Sequence, residues 1–200
     1  MKIFAADAEG VAAAAEAIRN GDVILYPTET VYGLGADPFN AEAIARVYAC
    51  KGRPVELPLL LVASDMAQVE SVVESLSAKA LRYAEAFWPG PLSLLLPKGA
   101  NVPDIVTSGR PKVCVRIPGD ETARAICREA GHAIVSTSAN ASGEPPARSL
   151  ADLTIAGIAV AIDGGVLPHA LPSTVYDPDT DVLLREGAVT REMLTRLIKA

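Results

Sequence analysis

Short, mostly apolar runs alternate with amphipathic segments along the whole chain. The runs are three to five residues long and end near Gly, Pro, Ser or Asn, a pattern typical of buried β-strands. The strands predicted from this pattern cover residues 23–26, 59–62, 92–96, 113–117, 133–136, 158–162, 173–176 and 182–184.

Amphipathic periodicity and capping residues predict the helices between these strands. Residues 9–19 predict an Ala-rich helix that ends at Asn20 and Gly21, and residues 121–130 predict another helix. A Ser, Thr, Asp or Asn side chain can accept a hydrogen bond from the first turn of a helix. Such N-caps are predicted at Asn40, Asp65, Ser77, Ser149 and Thr190.

The order of these elements indicates the fold class. Strands and helices are interspersed, but several late strands follow one another through short connections. This favours an α/β fold of α+β-like mixed character, in which helices cover a twisted sheet of parallel and antiparallel strands, over a purely parallel one. The 200 residues show no internal repeat and no linker-like stretch, so a single domain over residues 1–200 is predicted.

Composition narrows the class of protein. Hydrophobic residues make up 50% and charged residues 21%, which excludes a disordered chain. Cys50, Cys114 and Cys127 form no CxxC pair and fit a reducing compartment, so a cytoplasmic location is predicted. His132 and His169 lack metal-ligand spacing, which argues against a zinc site. No signal-peptide pattern and no run of about 20 apolar residues occurs, so no membrane association is predicted.

The chain is acidic, with a formal net charge of -6, so an anion site requires a local group of cations. Lys51 and Arg53 flank a glycine at the end of a predicted helix. Two like charges so close repel each other, and an anion between them relieves that repulsion. The alternative is a solvated helix end, where cations interact favourably with the helix dipole. Both interpretations stay open at this point.

Two segments rich in hydroxyl groups directly follow predicted strands. Residues 26–35 read YPTETVYGLG and end in a Gly-x-Gly turn, and residues 136–143 read STSANASG. Hydroxyl and amide groups at strand ends suit a small polar ligand or a nucleotide. The alternative is a tight turn in which these side chains satisfy backbone groups. A dinucleotide-binding loop is disfavoured because Pro38 stands at the third glycine position of that pattern.

Two arginines interrupt apolar strands. Arg116 lies within Val-Cys-Val-Arg-Ile, and Arg185 follows Leu-Leu. An arginine in such a run needs an anionic partner or an exposed sheet face. The chain has no P-loop, no Gly-x-Ser-x-Gly elbow and no convincing His-based triad. Any catalysis would therefore depend on positioning and on charge neutralisation.

Eight motifs occur in a fixed order between residues 21 and 187: YPTETVYGLG, KGRP, FWPGPL, VRIP, STSAN, DGG, PSTV and LREG. In this order they resemble the YrdC/TsaC family of threonylcarbamoyl-AMP synthases, in its short single-domain form. The resemblance implies a twisted mixed sheet with a positively charged concave face. There, ATP, L-threonine and bicarbonate or CO2 would yield threonylcarbamoyl-AMP and pyrophosphate, for the t6A modification of tRNA.

The resemblance also implies roles for individual residues. Lys51 and Arg53 match the catalytic Lys-x-Arg element. The matching ATP-binding positions are Lys51, Arg53, Ser138, Asn140 and Arg185. The matching threonine-binding positions are Thr30, Arg116, Ser136 and Ser173, and Thr28 and Lys112 are added as further candidates for ligand contact.

Mg²⁺ is the expected cofactor, held by phosphate oxygens and water, and no protein side chain is assigned to it. A separate threonylcarbamoyl-transferase is the expected partner. The alternatives are a non-catalytic protein of the same fold that binds tRNA or double-stranded RNA, a carbamoyl-transfer module such as those in hydrogenase-maturation proteins, and an inactive paralogue. The net charge of -6 disfavours binding dominated by the RNA backbone.

Overall fold

The computed structural model describes residues 1–52 and 54–199, so the predicted site residue Arg53 lies outside the described residues. The strands are β1 (Lys2–Ala5), β2 (Ile24–Tyr26), β3 (Gly33–Ala36), β4 (Leu60–Val62), β5 (Leu92–Pro97), β6 (Lys112–Arg116), β7 (Ile134–Ser138), β8 (Val160–Asp163), β9 (Thr174–Asp177) and β10 (Val182–Arg185). The helices are α1 (Ala8–Arg19), α2 (Ala41–Lys51), α3 (Met66–Glu70), α4 (Ala78–Phe87), α5 (Asp104–Thr107), α6 (Glu121–Ala130) and α7 (Arg191–Lys199), with a 3-10 turn at Leu150–Asp152.

All strands belong to one sheet with the order β1-β8-β2-β3-β7-β4-β6-β5-β9-β10. The pairs β1/β8, β2/β8, β4/β6 and β5/β9 are parallel, and the other neighbouring pairs are antiparallel. The predicted mixed α/β fold is therefore confirmed. Among the described residues, no helix has the length and apolar composition that crossing a membrane requires.

The predicted strands are all present, but β1 and β3 were missed. β1 is a mostly exposed edge strand paired with β8, and its short apolar run Ile3-Phe4-Ala5 was not interpreted as a strand. β3 contains the Gly-x-Gly sequence, which was wrongly predicted to form a turn. A side chain at Gly35 would place its Cβ 2.9 Å from Cε1 of Tyr26. Packing of the Tyr26 ring, and not a turn, therefore requires glycine at this position.

Most predicted helix caps are confirmed. Asn40, Asp65 and Ser77 each accept a backbone N–H bond from the first turn of their helices, and Thr190 does so for α7. Ser149 precedes only the 3-10 turn and makes no such bond. The short helix α5 was also missed, because its four residues are too few for a recognisable apolar period.

The sheet has an apolar layer on each face. In β2, the side chains of Ile24 and Tyr26 pack against α1 and α6. Leu25 of β2 and Val23, which precedes the strand, belong to the larger cluster on the other face, which includes α2 and α4. This alternation is the period of two that a strand imposes on its side chains. The helices α1 and α6 contact β1, β2, β4 and β8, so they cover only part of their face of the sheet.

Candidate functional site

A cavity of about 730 Å³ lies on the sheet face that α1 and α6 only partly cover. Its floor includes Leu60 and Ser136, which are register partners on β4 and β7. Leu60 lies two residues from Val62 on β4, and Ser136 lies two residues from Ile134 on β7. Val62 and Ile134 pack with α6. The same sheet face thus carries an apolar helix layer at one end and a polar cavity at the other. Its size is typical of a small-molecule site.

The cavity lining is cationic and rich in hydroxyl groups. Its described polar and charged members are Thr28, Thr30, Arg110, Lys112, Cys114, Arg116, Ser136, Thr137, Ser138, Ser173 and Arg185. No Asp or Glu occurs among the described lining residues. An acidic chain therefore presents a locally positive surface here, as the resemblance implied.

Most of the predicted site residues converge on this cavity. Those that line it are Thr28, Thr30, Lys112, Arg116, Ser136, Ser138, Ser173 and Arg185. Lys51 and Asn140 are not part of the lining and lie behind Ser138. The individual ligand contacts of all these residues, and of Arg53, stay predictions.

The turn after β2 is held by one threonine hydroxyl. Thr28 Oγ1 donates to Val31 O at 2.6 Å and accepts the backbone N–H groups of Thr30 and Val31, both at 3.2 Å. It also contacts Thr30 Oγ1 at 3.0 Å. Both interpretations of residues 26–35, a turn stabilised by side chains and a site for a polar ligand, therefore apply, since Thr28 satisfies backbone groups while Thr30 lines the cavity.

Lys51 connects the end of α2 to the loop after β7. Its buried Nζ donates to Ser138 O, to Asn140 O at 2.9 Å and to Asn140 Oδ1 at 3.0 Å. Ser138 Oγ donates to the same Asn140 Oδ1 at 2.6 Å. The ammonium group thus determines where Ser138 stands at the edge of the cavity.

Arg116 ends β6 with a side chain that is only 4% exposed. Its Nη1 forms an ion pair with Glu29 Oε1. An anionic partner, and not an exposed sheet face, therefore explains this arginine. Arg116 Nε and Glu29 Oε2 are buried and have no hydrogen-bond partner among the described residues. Such groups are rare in folded proteins and require an explanation, of which a bound water, ion or ligand is one.

Ser173 and Arg185 are brought together by the antiparallel pair of β9 and β10. Arg185 Nε donates to Ser173 O at 3.0 Å, and Arg185 Nη2 donates to Ser173 Oγ at 3.1 Å. The register shifts between Leu183 and Arg185. Leu184 and Arg185 both line the cavity at this irregularity, since a bulge can redirect a side chain.

Lys112 forms a second ion pair at the cavity, with Asp177 Oδ2 at 2.6 Å. Burial raises the pKa of Asp177, but the hydrogen bond from Lys112 and those from Thr180 outweigh it, so that this pKa is lowered overall. A carboxylate with a lowered pKa stabilises the fold above its unfolded-state pKa of about 3.9. That contribution is lost as the pH falls through the folded-state pKa.

We expect Asp177→Asn to lower the free energy of unfolding at pH 7 by about 1–3 kcal/mol, because a charge-assisted bond is lost. Below pH 4 the difference from the wild type should shrink. Urea unfolding at pH 7 and pH 3 measures both effects. Asp179→Asn is the matched control, since that carboxylate is more exposed and lies 3.9 Å from Lys112. An equal difference at both pH values would contradict the assigned ion pair.

Sequence reasoning missed Arg110, Cys114 and Tyr26 as parts of the site. Arg110 and Cys114 could have been found, because they alternate with Lys112 and Arg116 and therefore share their face of the strand. Tyr26 is buried and donates a hydrogen bond to Ser136 Oγ at 2.7 Å. The two residues are 110 positions apart, so no local pattern indicates this contact.

Comparisons with known proteins find relatives that match most of this chain. A family model described as telomere recombination, for Sua5, YciO and YrdC proteins, matches residues 16–187. A threonylcarbamoyl-AMP synthase from Idiomarina loihiensis is 40% identical over 184 residues, which cover 88% of this chain and 97% of the relative. One from Bacillus subtilis is 39% identical over 194 residues, which cover 94% of this chain and 56% of the relative.

The crystal structure of P. abyssi Sua5 complexed with L-threonine has a TM-score of 0.91 and 36% identity to this chain. The alignment covers 98% of this chain and 59% of Sua5. The chain therefore spans little more than half the length of the Bacillus and P. abyssi proteins. The matching family model, the aligned relatives and the shared fold show that the chain belongs to the Sua5/YciO/YrdC family, as the order of its motifs predicted.

Proposed function

We propose that this protein forms threonylcarbamoyl-AMP and pyrophosphate from L-threonine, ATP and bicarbonate or CO2. The observation that carries the proposal is the cavity, which collects Arg110, Lys112, Arg116 and Arg185 beside several hydroxyls, without a carboxylate among its described lining residues. The relatives named threonylcarbamoyl-AMP synthase and the threonine complex of P. abyssi Sua5 support it.

The charges of the substrates match such a cavity. A carboxylate, a carbamate and a triphosphate must come close together in this reaction. Two like charges about 4 Å apart cost about 4 kcal/mol at an effective dielectric constant of about 20. The cations of the lining offset this repulsion.

Arg116 is the residue we assign to the threonine carboxylate. Its Nε has no partner among the described residues, although the guanidinium is nearly fully buried. A carboxylate can accept two parallel bonds from a guanidinium. Thr30, Ser136 and Ser173 supply hydroxyl groups around the same space, where they can select for an amino acid.

The chemistry that we propose needs no histidine base. The amine nitrogen of threonine forms a bond to the carbon of CO2, which bicarbonate can release, and the amine loses a proton to water. An oxygen of the resulting carbamate then attacks the α-phosphorus of ATP, and pyrophosphate leaves with the electron pair. The protein contributes orientation and charge stabilisation. Ser138 and Arg185 are assigned to ATP at the cavity, with Lys51 and Asn140 behind Ser138.

Mg²⁺ fits this site as a metal that enters with ATP. The described residues contain no group of three or more His, Cys, Asp or Glu side chains that could hold a metal ion. The charged side chains of the described lining are Lys and Arg. Phosphate oxygens and water are therefore the ligands for this hard cation. When bound, it supplies further neutralisation of the triphosphate charge.

Incubation with ATP, Mg²⁺, L-threonine and labelled bicarbonate tests the proposal directly. We expect a labelled adenylate and an equal amount of pyrophosphate, both of which depend on threonine. L-serine, which lacks one methyl group, is the control for substrate choice. Salt-dependent binding of RNA without adenylate formation would favour the non-catalytic alternative, and a preference for carbamoyl phosphate would favour a carbamoyl-transfer module.

The proposed product is a mixed anhydride of a carbamate and AMP, so a second enzyme must transfer its threonylcarbamoyl group. We propose a tRNA-modifying transferase as that enzyme, on the basis of the family resemblance. The cytoplasmic location and the single-domain organisation stay predictions.

A further inference from the structure

Two predicted threonine-binding hydroxyls at the cavity wall, those of Ser136 and Ser173, have a buried neighbour that restricts their protons. A serine or threonine hydroxyl has one proton to donate and two lone pairs that accept. Whatever its protein neighbours use is no longer free for a ligand. The direction of each hydroxyl can therefore be read from its buried contacts.

Ser136 is restricted by Tyr26. The phenol of Tyr26 is fully buried and donates to Ser136 Oγ at 2.7 Å. Burial is the largest effect on its pKa and raises this pKa far above the usual value, so the phenol stays a donor. Ser136 Oγ accepts in this contact, and its own proton has no acceptor among the described residues. The hydroxyl of Ser136 therefore presents a donor to the cavity.

Thr30 is not restricted in this way. Thr28 Oγ1 donates its single proton to Val31 O at 2.6 Å and accepts the backbone N–H groups of Thr30 and Val31. The proton and both lone pairs of Thr28 are therefore occupied within the turn, and its 3.0 Å contact with Thr30 Oγ1 does not fix the direction of the Thr30 proton.

Ser173 resembles Ser136. Its Oγ accepts from Ser93 Oγ and from Arg185 Nη2, both at 3.1 Å. Ser93 is fully buried, and Ser173 is nearly so. Both lone pairs of Ser173 are thus occupied, and its proton is available to an acceptor in the cavity.

We propose that Tyr26 and Ser93 are positioning residues, which make Ser136 and Ser173 donors toward the substrate. The inference rests on the proposed function, because it concerns the recognition of an amino acid. The two donors suit carboxylate or carbamate oxygens. A site ordered in advance loses less entropy when its ligand binds.

Tyr26→Phe tests the inference with little change of shape. We expect the KM for threonine to rise about three- to tenfold, as for the loss of one oriented hydrogen bond, with the KM for ATP unchanged. If Tyr26 acts through Ser136, then Tyr26→Phe should add nothing further to Ser136→Ala in the double variant. Tyr83→Phe is the matched control, since Tyr83 is another buried tyrosine whose hydroxyl contacts Tyr176 away from the cavity.

Ser93→Ala is the second test variant. It removes the buried hydroxyl that donates to Ser173 Oγ, so it should raise the threonine KM about as much. Circular dichroism and thermal unfolding show whether each variant is folded. If one of the two variants does not fold, the other carries the test, since each change removes a single donor.

Titration calorimetry measures the affinity for L-threonine, which depends on the same contacts, without turnover. An active wild type whose threonine affinity is unchanged by Tyr26→Phe would contradict the inference alone. Additive effects of Tyr26→Phe and Ser136→Ala would also contradict it. A wild type that neither binds threonine nor forms the adenylate would contradict both the inference and the proposed function.

Discussion

Arg116→Lys is expected to lower kcat/KM for threonine about 100-fold, which corresponds to about 2.7 kcal/mol. A lysine keeps the positive charge but loses the planar fork of the guanidinium. Its single ammonium group cannot bond to Glu29 and also give two parallel bonds to a substrate carboxylate. Steady-state kinetics with varied threonine measures the effect, and the KM for ATP should change much less.

Arg128→Lys is the matched control for this change. Arg128 is also paired with a glutamate, Glu121, but lies half-exposed on α6 and does not line the cavity. It should leave kcat/KM unchanged. Thermal unfolding separates the catalytic effect from the effect on stability, because the retained charge of Arg116→Lys should keep Glu29 paired. An unchanged threonine KM in a folded Arg116→Lys protein would exclude Arg116 from the carboxylate site.

Lys51→Met is expected to abolish measurable adenylate formation and to lower the free energy of unfolding by about 3 kcal/mol. Methionine has a similar length but no donors, so Ser138 O and the two Asn140 oxygens lose the ammonium group that they share. Leaving such buried groups without partners costs about 1–3 kcal/mol. For a domain of this size the midpoint of thermal unfolding should fall by about 6–12 °C.

Lys98→Met is the control for Lys51→Met. Lys98 Nζ likewise donates to a backbone oxygen, that of Val102, at 3.0 Å, but it does not line the cavity. This variant should lose some stability and keep its activity. If Lys51→Met were destabilised but kept the wild-type kcat and the wild-type KM for ATP, then Lys51 would only stabilise the loop after β7 and would have no role in catalysis.

Local features of the fold were predictable because their causes lie close together in the chain. Central strands are buried on both sides, so they appear as continuous apolar runs, and helix starts are marked by side chains such as Asn40 and Asp65 that accept bonds two or three residues away. β1 and β3 were not predictable in this way. The first depends on its pairing with β8, and the glycines of the second depend on the ring of Tyr26.

The composition of the candidate site was also predictable in part. The order of the eight motifs indicated the family, and several hydroxyl and cationic residues of those motifs line the cavity, namely Thr28, Thr30, Arg116, Ser136, Thr137, Ser138, Ser173 and Arg185. Their partners could not be predicted. Arg116 pairs with Glu29, and Lys51 bonds to the backbone of Ser138, each across 87 positions of the sequence.

The amino-acid sequence by itself therefore determined the class of fold and most strands and helix caps. It also determined which cationic and hydroxyl residues occur in the family motifs, and the order of those motifs along the chain. Only the tertiary structure decided which of these groups face the cavity, which stand behind it, and which contacts restrict the hydroxyl protons of Ser136 and Ser173. The physical reason is that periodicity and capping depend on neighbouring residues. Ion pairs and proton directions instead depend on the order and register of strands that lie far apart in the chain.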